Sequence, residues 1–153
     1  MQTDFQLNNS FAFWVHRLNS RLQEQFNEQL KPYDLSWPQW MLMNVLADKV
    51  STPAVAAEQL GVDRSAVTRL LDRLEAKGYV GREHDKLDRR SVNIAVTAKG
   101  RNLMHEINAL AYQHQQQFLK DLHLSERRGL KKELQKILRT TGLDTLTLWQ
   151  RID

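Results

Sequence analysis

The chain has 153 residues, of which 41% are hydrophobic and 26% charged, with a formal net charge of +4. That is the length of one domain able to bury a core and the composition of an ordinary globular protein. No apolar run approaches the ~20 residues that span a bilayer, and the first twenty residues lack the basic start and apolar block of a signal peptide, so the expected location is the cytoplasm with no membrane partner. The absence of cysteine excludes disulfides, thiolate metal sites and thiol redox sensing. The five histidines show no HxxxH or HExxH spacing, and the expectation is no metal and no cofactor. The charge is uneven. Residues 1–50 carry four Lys/Arg against five Asp/Glu (net −1), residues 51–101 ten against seven (+3), and residues 102–153 eight against six (+2). The excess falls partly on the central stretch, as a polyanion partner requires, although a solvated mixed-charge surface fits the totals almost as well.

In chain order, residues 1–8 are polar. From Asn9 or Ser10, Phe11, Val15, Leu18, Leu22, Phe26 and Leu30 recur every three or four residues, which predicts an amphipathic helix over 9–31 that Pro32 ends. Ser36 with Gln39 forms a capping-box pattern before a helix over 36–47. Its Trp37, Trp40, Met41, Leu42, Met43, Val45 and Leu46 leave it apolar on most sides, so it is the expected hub of the core.

Thr52 and Pro53 start a short helix with small alanine surfaces, Leu60 closes it and Gly61 turns the chain. Asp63 is placed to cap the next helix, 63–77. Val67, Leu70, Leu71 and Leu74 make its apolar stripe, Ser65, Thr68, Arg69 and Asp72 lie opposite, and Arg64 and Arg73 flank them. Lys77 and Gly78 stop it. Tyr79–His84 can then pair with Ser91–Val96, where Val92, Ile94 and Val96 alternate with Asn93 and Ala95. The loop between them, 85–90, ends in Asp88, Arg89 and Arg90. Thr97 caps a long helix whose stripe (Leu103, Ile107, Leu110, His114, Phe118) runs to about Leu122. Ser125 is expected to cap a further helix to about Arg139, with Leu130, Leu134, Ile137 and Leu138 on its apolar face. Gly142 breaks it before a last amphipathic segment containing Leu143, Leu146, Leu148 and Trp149.

Two short helices meeting at Gly61, followed by a hairpin with cations at its tip, are the pattern of a winged helix-turn-helix. The fold class is mainly α with a small β-hairpin wing (α+β), within a single domain over 1–153. The DNA-binding lobe is 36–101. The terminal helices, 9–31 plus 102–153, carry more apolar surface than one copy can easily bury; an intertwined homodimer through both termini resolves this, the alternative being a monomer whose terminal helices fold back over the core. Arg64, Ser65, Thr68, Arg69 and Arg73 are the candidate DNA-binding residues of the helix, since arginine pairs with guanine edges and short hydroxyls reach phosphates or bases. Arg89 and Arg90 are those of the wing, suited to a narrow A·T-rich minor groove. Asp88 supports the loop by accepting hydrogen bonds from loop N–H groups or a guanidinium. Read alone, the helix face is more simply a solvated surface, and the loop an ordinary charged turn; together at adjacent positions they favour DNA.

The stretch LGVDRSAVTRLLDRLEAKGYVGREHDKLDRRSVNIAVTAKG resembles the signature region of the MarR family of bacterial transcription regulators. The Asp88-Arg89-Arg90 wing followed by Thr97-Ala98-Lys99-Gly100 carries the resemblance, with Thr68-Arg69, Leu71-Asp72-Arg73-Leu74 and the Leu35–Trp40 stretch. The resemblance implies a homodimer on a pseudo-palindromic operator in double-stranded DNA, usually as a repressor, with helix 63–77 in the major groove and wing 85–90 in the minor groove. Arg90 matches the family's wing-tip arginine, Asp88 its supporting acid, and Asp63 an acid that in some members links the recognition helix to the wing arginine. The family's usual effectors are small aromatic molecules. Trp14, Trp37, Trp40 and Phe118 are the candidate lining of an effector pocket, with Arg17 or His16 engaging an acidic ligand, although aromatics at helical spacing are more often core. The alternative is a winged-helix module that binds protein or DNA without sequence choice or effector response. An enzyme is not expected, because no nucleophile–base pair, phosphate loop or metal-spaced cluster is present.

Overall fold

The computed structural model describes residues 6–47, 51–84, 86–88 and 91–142. The elements run α1 (Phe11–Leu30), α2 (Trp37–Leu46), α3 (Pro53–Leu60), α4 (Arg64–Ala76), β1 (Val80–His84), β2 (Val92–Val96), α5 (Ala98–Phe118) and α6 (Leu124–Thr140), with short 3-10 turns at Leu7–Asn9 and Lys31–Tyr33. The expected class, mainly helical with one hairpin, is what the chain forms. Two compact units divide at residues 112 and 113.

In the first unit, local chemistry sets each boundary. Ser10 caps α1 by accepting from the Phe13 amide, and the Ser36–Gln39 capping box starts α2 as its sequence predicts. Thr52 accepts from the Val55 amide ahead of Pro53. Gly61, at φ 66°, supplies the left-handed residue that ends α3, and the Val62 amide reaches back to the Ala57 carbonyl at 3.1 Å. Three residues therefore separate α3 from α4. Asp63 stands in the extended cap position of α4, but its side chain makes no capping bond. The expected cap is thus positional only.

α2 is the hub, with Gln39, Leu42, Met43 and Leu46 buried. Around it close Phe26 and Leu30 of α1, Ala56 and Ala57 of α3, Val67, Leu71 and Leu74 of α4, Val80, Ile94 and Val96 of the hairpin, and Met104 and Ile107 of α5. Leu70, expected in the same stripe, is only half-buried at the edge. β1 and β2 pair antiparallel with Val80 opposite Val96 and His84 opposite Val92, and Ser51 adds a bridge to Ile94.

In the second unit, α5 ends at Phe118, four residues short of the expected Leu122, because residues 119–123 turn rather than continue the helix. His123, not Ser125, is the cap of α6, and the Glu126 carboxylate accepts from its amide at 2.7 Å. Arg127 donates to the Leu122 carbonyl at 3.0 Å and to Gln116 at 2.5 Å, tying α6 to the turn before it. The expected last segment with Leu143, Leu146, Leu148 and Trp149 lies outside the described residues.

Candidate nucleic-acid interface

The apolar stripe of α4 faces α2, so the rest of its surface must face outward. Arg64, Ser65, Thr68, Arg69, Asp72 and Arg73 are all exposed, while Val67, Leu71 and Leu74 are fully buried. Thr68 donates its hydroxyl to the Arg64 carbonyl at 3.0 Å, which keeps it close to the helix and leaves its methyl and oxygen lone pairs outward. Among the described residues, no carboxylate pairs with Arg64, Arg69 or Arg73. Their charge is therefore available to an anionic partner, whereas two neighbouring cations, Lys77 and Arg82, are occupied. Lys77 holds the Asp34 carboxylate at 3.0 Å, and Arg82 holds Asp72 and Glu75 at 2.6 Å each.

The far end of α4 is anchored from two sides. Gly78, at φ 74°, lets the chain reverse, and the Tyr79 amide bonds the Leu74 carbonyl at 2.9 Å. Lys99 donates to the Lys77 carbonyl at 2.8 Å while its ammonium lies 5.0 Å from the centre of the Tyr79 ring. These contacts place cations where the α4 dipole is negative and leave its N-terminal end, with Arg64, Ser65 and Thr68, projecting.

Beside that end, an open cleft of about 510 Å³ separates α4 from the wing, lined by Arg64, Thr68, Asp72, Arg82, Asp88 and Ser91 with Thr52 and Pro53. Asp88 is exposed, and its carbonyl accepts from the Ser91 amide at 2.9 Å, closing the base of the loop. Arg89 and Arg90, like Asp85, lie outside the described residues. The structure thus brings the helix candidates together on one surface, with Asp63 at its head and Asp88 across the cleft. Arg82 was not among the sequence candidates. Its signal was present, though: an arginine two residues after Val80 shares the strand face that buries Val80.

Of the effector candidates, Trp37 and Trp40 meet, with ring centroids 5.0 Å apart. Both pack edge-on against Phe26 at centroid distances of 5.9 and 4.9 Å, half-buried against the core, and the Trp40 indole donates to Asn108 at 2.8 Å. Trp14 is 60% exposed on α1, set edge-on to Phe13 and bonded to the Asn8 carbonyl at 2.7 Å; Arg17 is exposed on the same helix. Phe118 packs on His114 in the second unit. Burial holds the His114 imidazole below its usual pKa.

A helix-turn-helix with an outward cationic second helix, followed directly by a two-stranded hairpin, defines a winged-helix regulator. A sequence model of the MarR family matches residues 33–91. Over 126 residues the chain is 32% identical to the multiple antibiotic resistance protein MarR of Escherichia coli K12, covering 81% of this chain and 88% of that protein. A crystal structure of a mutant E. coli MarR complexed with operator DNA aligns at TM-score 0.76 and 30% identity, over 83% of this chain and 92% of that one. The regulator BldR from Sulfolobus solfataricus aligns at TM-score 0.76 and 30% identity, over 82% and 90%. The chain belongs to the MarR family of winged helix-turn-helix transcription regulators.

Proposed function

We propose that the chain binds a pseudo-palindromic operator in double-stranded DNA as a homodimer and acts as a repressor in the cytoplasm. The lobe 36–101 grips DNA: α4 enters the major groove with Arg64, Ser65, Thr68, Arg69 and Arg73, and wing 85–90 enters the minor groove with Arg89 and Arg90. Asp63 and Asp88 steady the wing. The observation that carries this reading is the exposed cationic face of α4, free of carboxylate partners among the described residues and set across a cleft from the hairpin. The solved relative complexed with operator DNA supports it. No helix among the described residues is long and apolar enough to cross a membrane. The activity is binding rather than turnover, as for the relatives, which are regulators.

Segments 9–31 and 102–153 carry the dimer. Phe11, Trp14 and Leu18 on α1 are 59%, 60% and 52% exposed, and Leu130, Leu134 and Ile137 on α6 about 40%. Apolar stripes this long are covered by a second copy. A small aromatic effector would release DNA by favouring a dimer whose recognition helices do not match half-sites about 34 Å apart. Trp14, Arg17, Trp37 and Trp40 remain its candidate contacts, with the partner's surface completing the pocket.

Selection of bound DNA from a random pool tests specificity, palindromy and spacing together. A recovered inverted repeat supports the regulator; a pool no different from the input means a module that binds without sequence choice.

A further inference from the structure

Arg82 stands at an odd register. In the hairpin it lies opposite Ile94, and strand alternation puts it on the face of Val80, Ile94 and Val96, all buried. A cation turned toward an apolar core is unfavourable unless it is paired. Arg82 is paired twice. One terminal nitrogen donates to Glu75 Oε2 at 2.6 Å and the other to Asp72 Oδ1 at 2.6 Å. Asp72 and Glu75 are three residues apart on α4, neighbours on successive turns. The planar guanidinium therefore spans one turn of the recognition helix from the first strand of the wing, fixing separation and tilt together in a way a lysine ammonium cannot.

The placement of the acids is equally informative. Asp72 belongs to the outward face of α4, its side chain 59% exposed, where a carboxylate repels phosphates. Asp72 and Arg82 line the cleft together with Arg64 and Thr68 from the start of α4 and Asp88 and Ser91 from the wing. The bridge thus lies between the two parts that grip DNA. We propose that Arg82 is a positioning residue, and that its fork onto Asp72 and Glu75 sets the distance between recognition helix and wing, so that both grooves are engaged at once. This rests on the DNA-binding reading above.

The sign of an acid's removal is the test. Deleting a carboxylate from a DNA-facing surface should tighten binding on electrostatic grounds. If the acids hold Arg82, Asp72→Ala and Glu75→Ala should each weaken operator binding, by about fivefold. Alanine favours the helix, so these variants keep their fold, which melting checks. Arg82→Gln should weaken binding at least as much, with the slope of log affinity against log salt unchanged. In an Arg90→Ala background, whose wing no longer contributes, the same change should cost less than about twofold. Tighter or unchanged binding by both acid variants would overturn the proposal. So would a salt slope lower by about one in Arg82→Gln, which would make Arg82 a phosphate contact. A wild-type chain that selects no operator fails the regulator reading first, a result distinguishable from either, and this inference falls with it.

Discussion

The hydroxyl of Thr97 donates to the carbonyl oxygen of Gly78 at 2.7 Å and accepts from the amide of Gly100 at 3.0 Å. One side chain therefore both starts α5 and seals the end of the recognition helix. Gly100 completes the joint, because it is buried and a Cβ there would collide with the Tyr79 carbonyl and with the Val96 side chain. The Thr97-Ala98-Lys99-Gly100 run is thus a packing motif. Thr97 caps, Lys99 covers the Tyr79 ring, and Gly100 lets the helix pass against backbone.

Gly100→Ala should accordingly destabilise the lobe by about 1–3 kcal/mol through overpacking, lowering the melting midpoint by several degrees. Alanine is otherwise the better helix former, so a rise in the midpoint would mean that the backbones separate without cost. Calorimetry of the two proteins decides it.

Arg69→Ala tests the helix. Arg69 is exposed on α4 with no carboxylate partner among the described residues, so its loss should leave the fold unchanged. If it reads a base, operator affinity falls by about 1–3 kcal/mol and specificity relaxes at one position. Uniform weakening on all sequences with a salt slope lower by about one would assign it to a phosphate instead.

Arg90→Ala tests the wing. An arginine in a narrow minor groove meets concentrated negative potential. Its removal should weaken operator binding at least tenfold, roughly 1.4 kcal/mol, with dimer and helix content intact. Unchanged affinity in a gel-shift titration would mean that the wing does not touch DNA.

The sequence was most readable where a local rule decides the outcome. The Ser36–Gln39 box, Pro53 behind Thr52, and the glycine turns at 61 and 78 all stand where their chemistry placed them. So does the Val67–Leu74 stripe. It was least readable where a local signal had two solutions. Ser125 and His123 both offer a helix start, and the glutamate three residues after His123 settles it. Arg82 was missed because a charged residue in a hairpin reads as solvated. Its alternation with Val80 was the one inward signal, and the pairing register and the two acids on α4 show what it meets there. Trp37 and Trp40 offered both a pocket and a core reading, core being the commoner, and their packing on Phe26 is a tertiary fact that spacing does not contain.

His114 predicts a pH dependence. Burial holds its imidazole below the usual value, whereas in the unfolded chain it titrates near 6.5. Above that pH both states are neutral and the site contributes no slope. As the pH falls below about 6.5 the unfolded chain binds a proton that the folded chain does not, so stability declines. His114→Gln should flatten this part of the stability–pH curve below about pH 6.5. An unchanged curve would show that His114 protonates freely in the fold.

The uncovered stripes predict how the dimer fails. Leu18 is 52% exposed in the single chain, so Leu18→Asp removes little from the fold of one copy. If a second copy covers α1, the same change places an unpaired carboxylate in an apolar interface, which costs about 3–5 kcal/mol. Dimer dissociation should then be favoured by roughly 10²–10⁴-fold, visible in sedimentation at micromolar concentration. Operator affinity should fall with it, because two half-sites held by linked lobes gain from effective concentration and separate lobes do not. A half-site should bind both proteins alike. Leu18→Asp sedimenting as the wild-type dimer would move the interface away from α1.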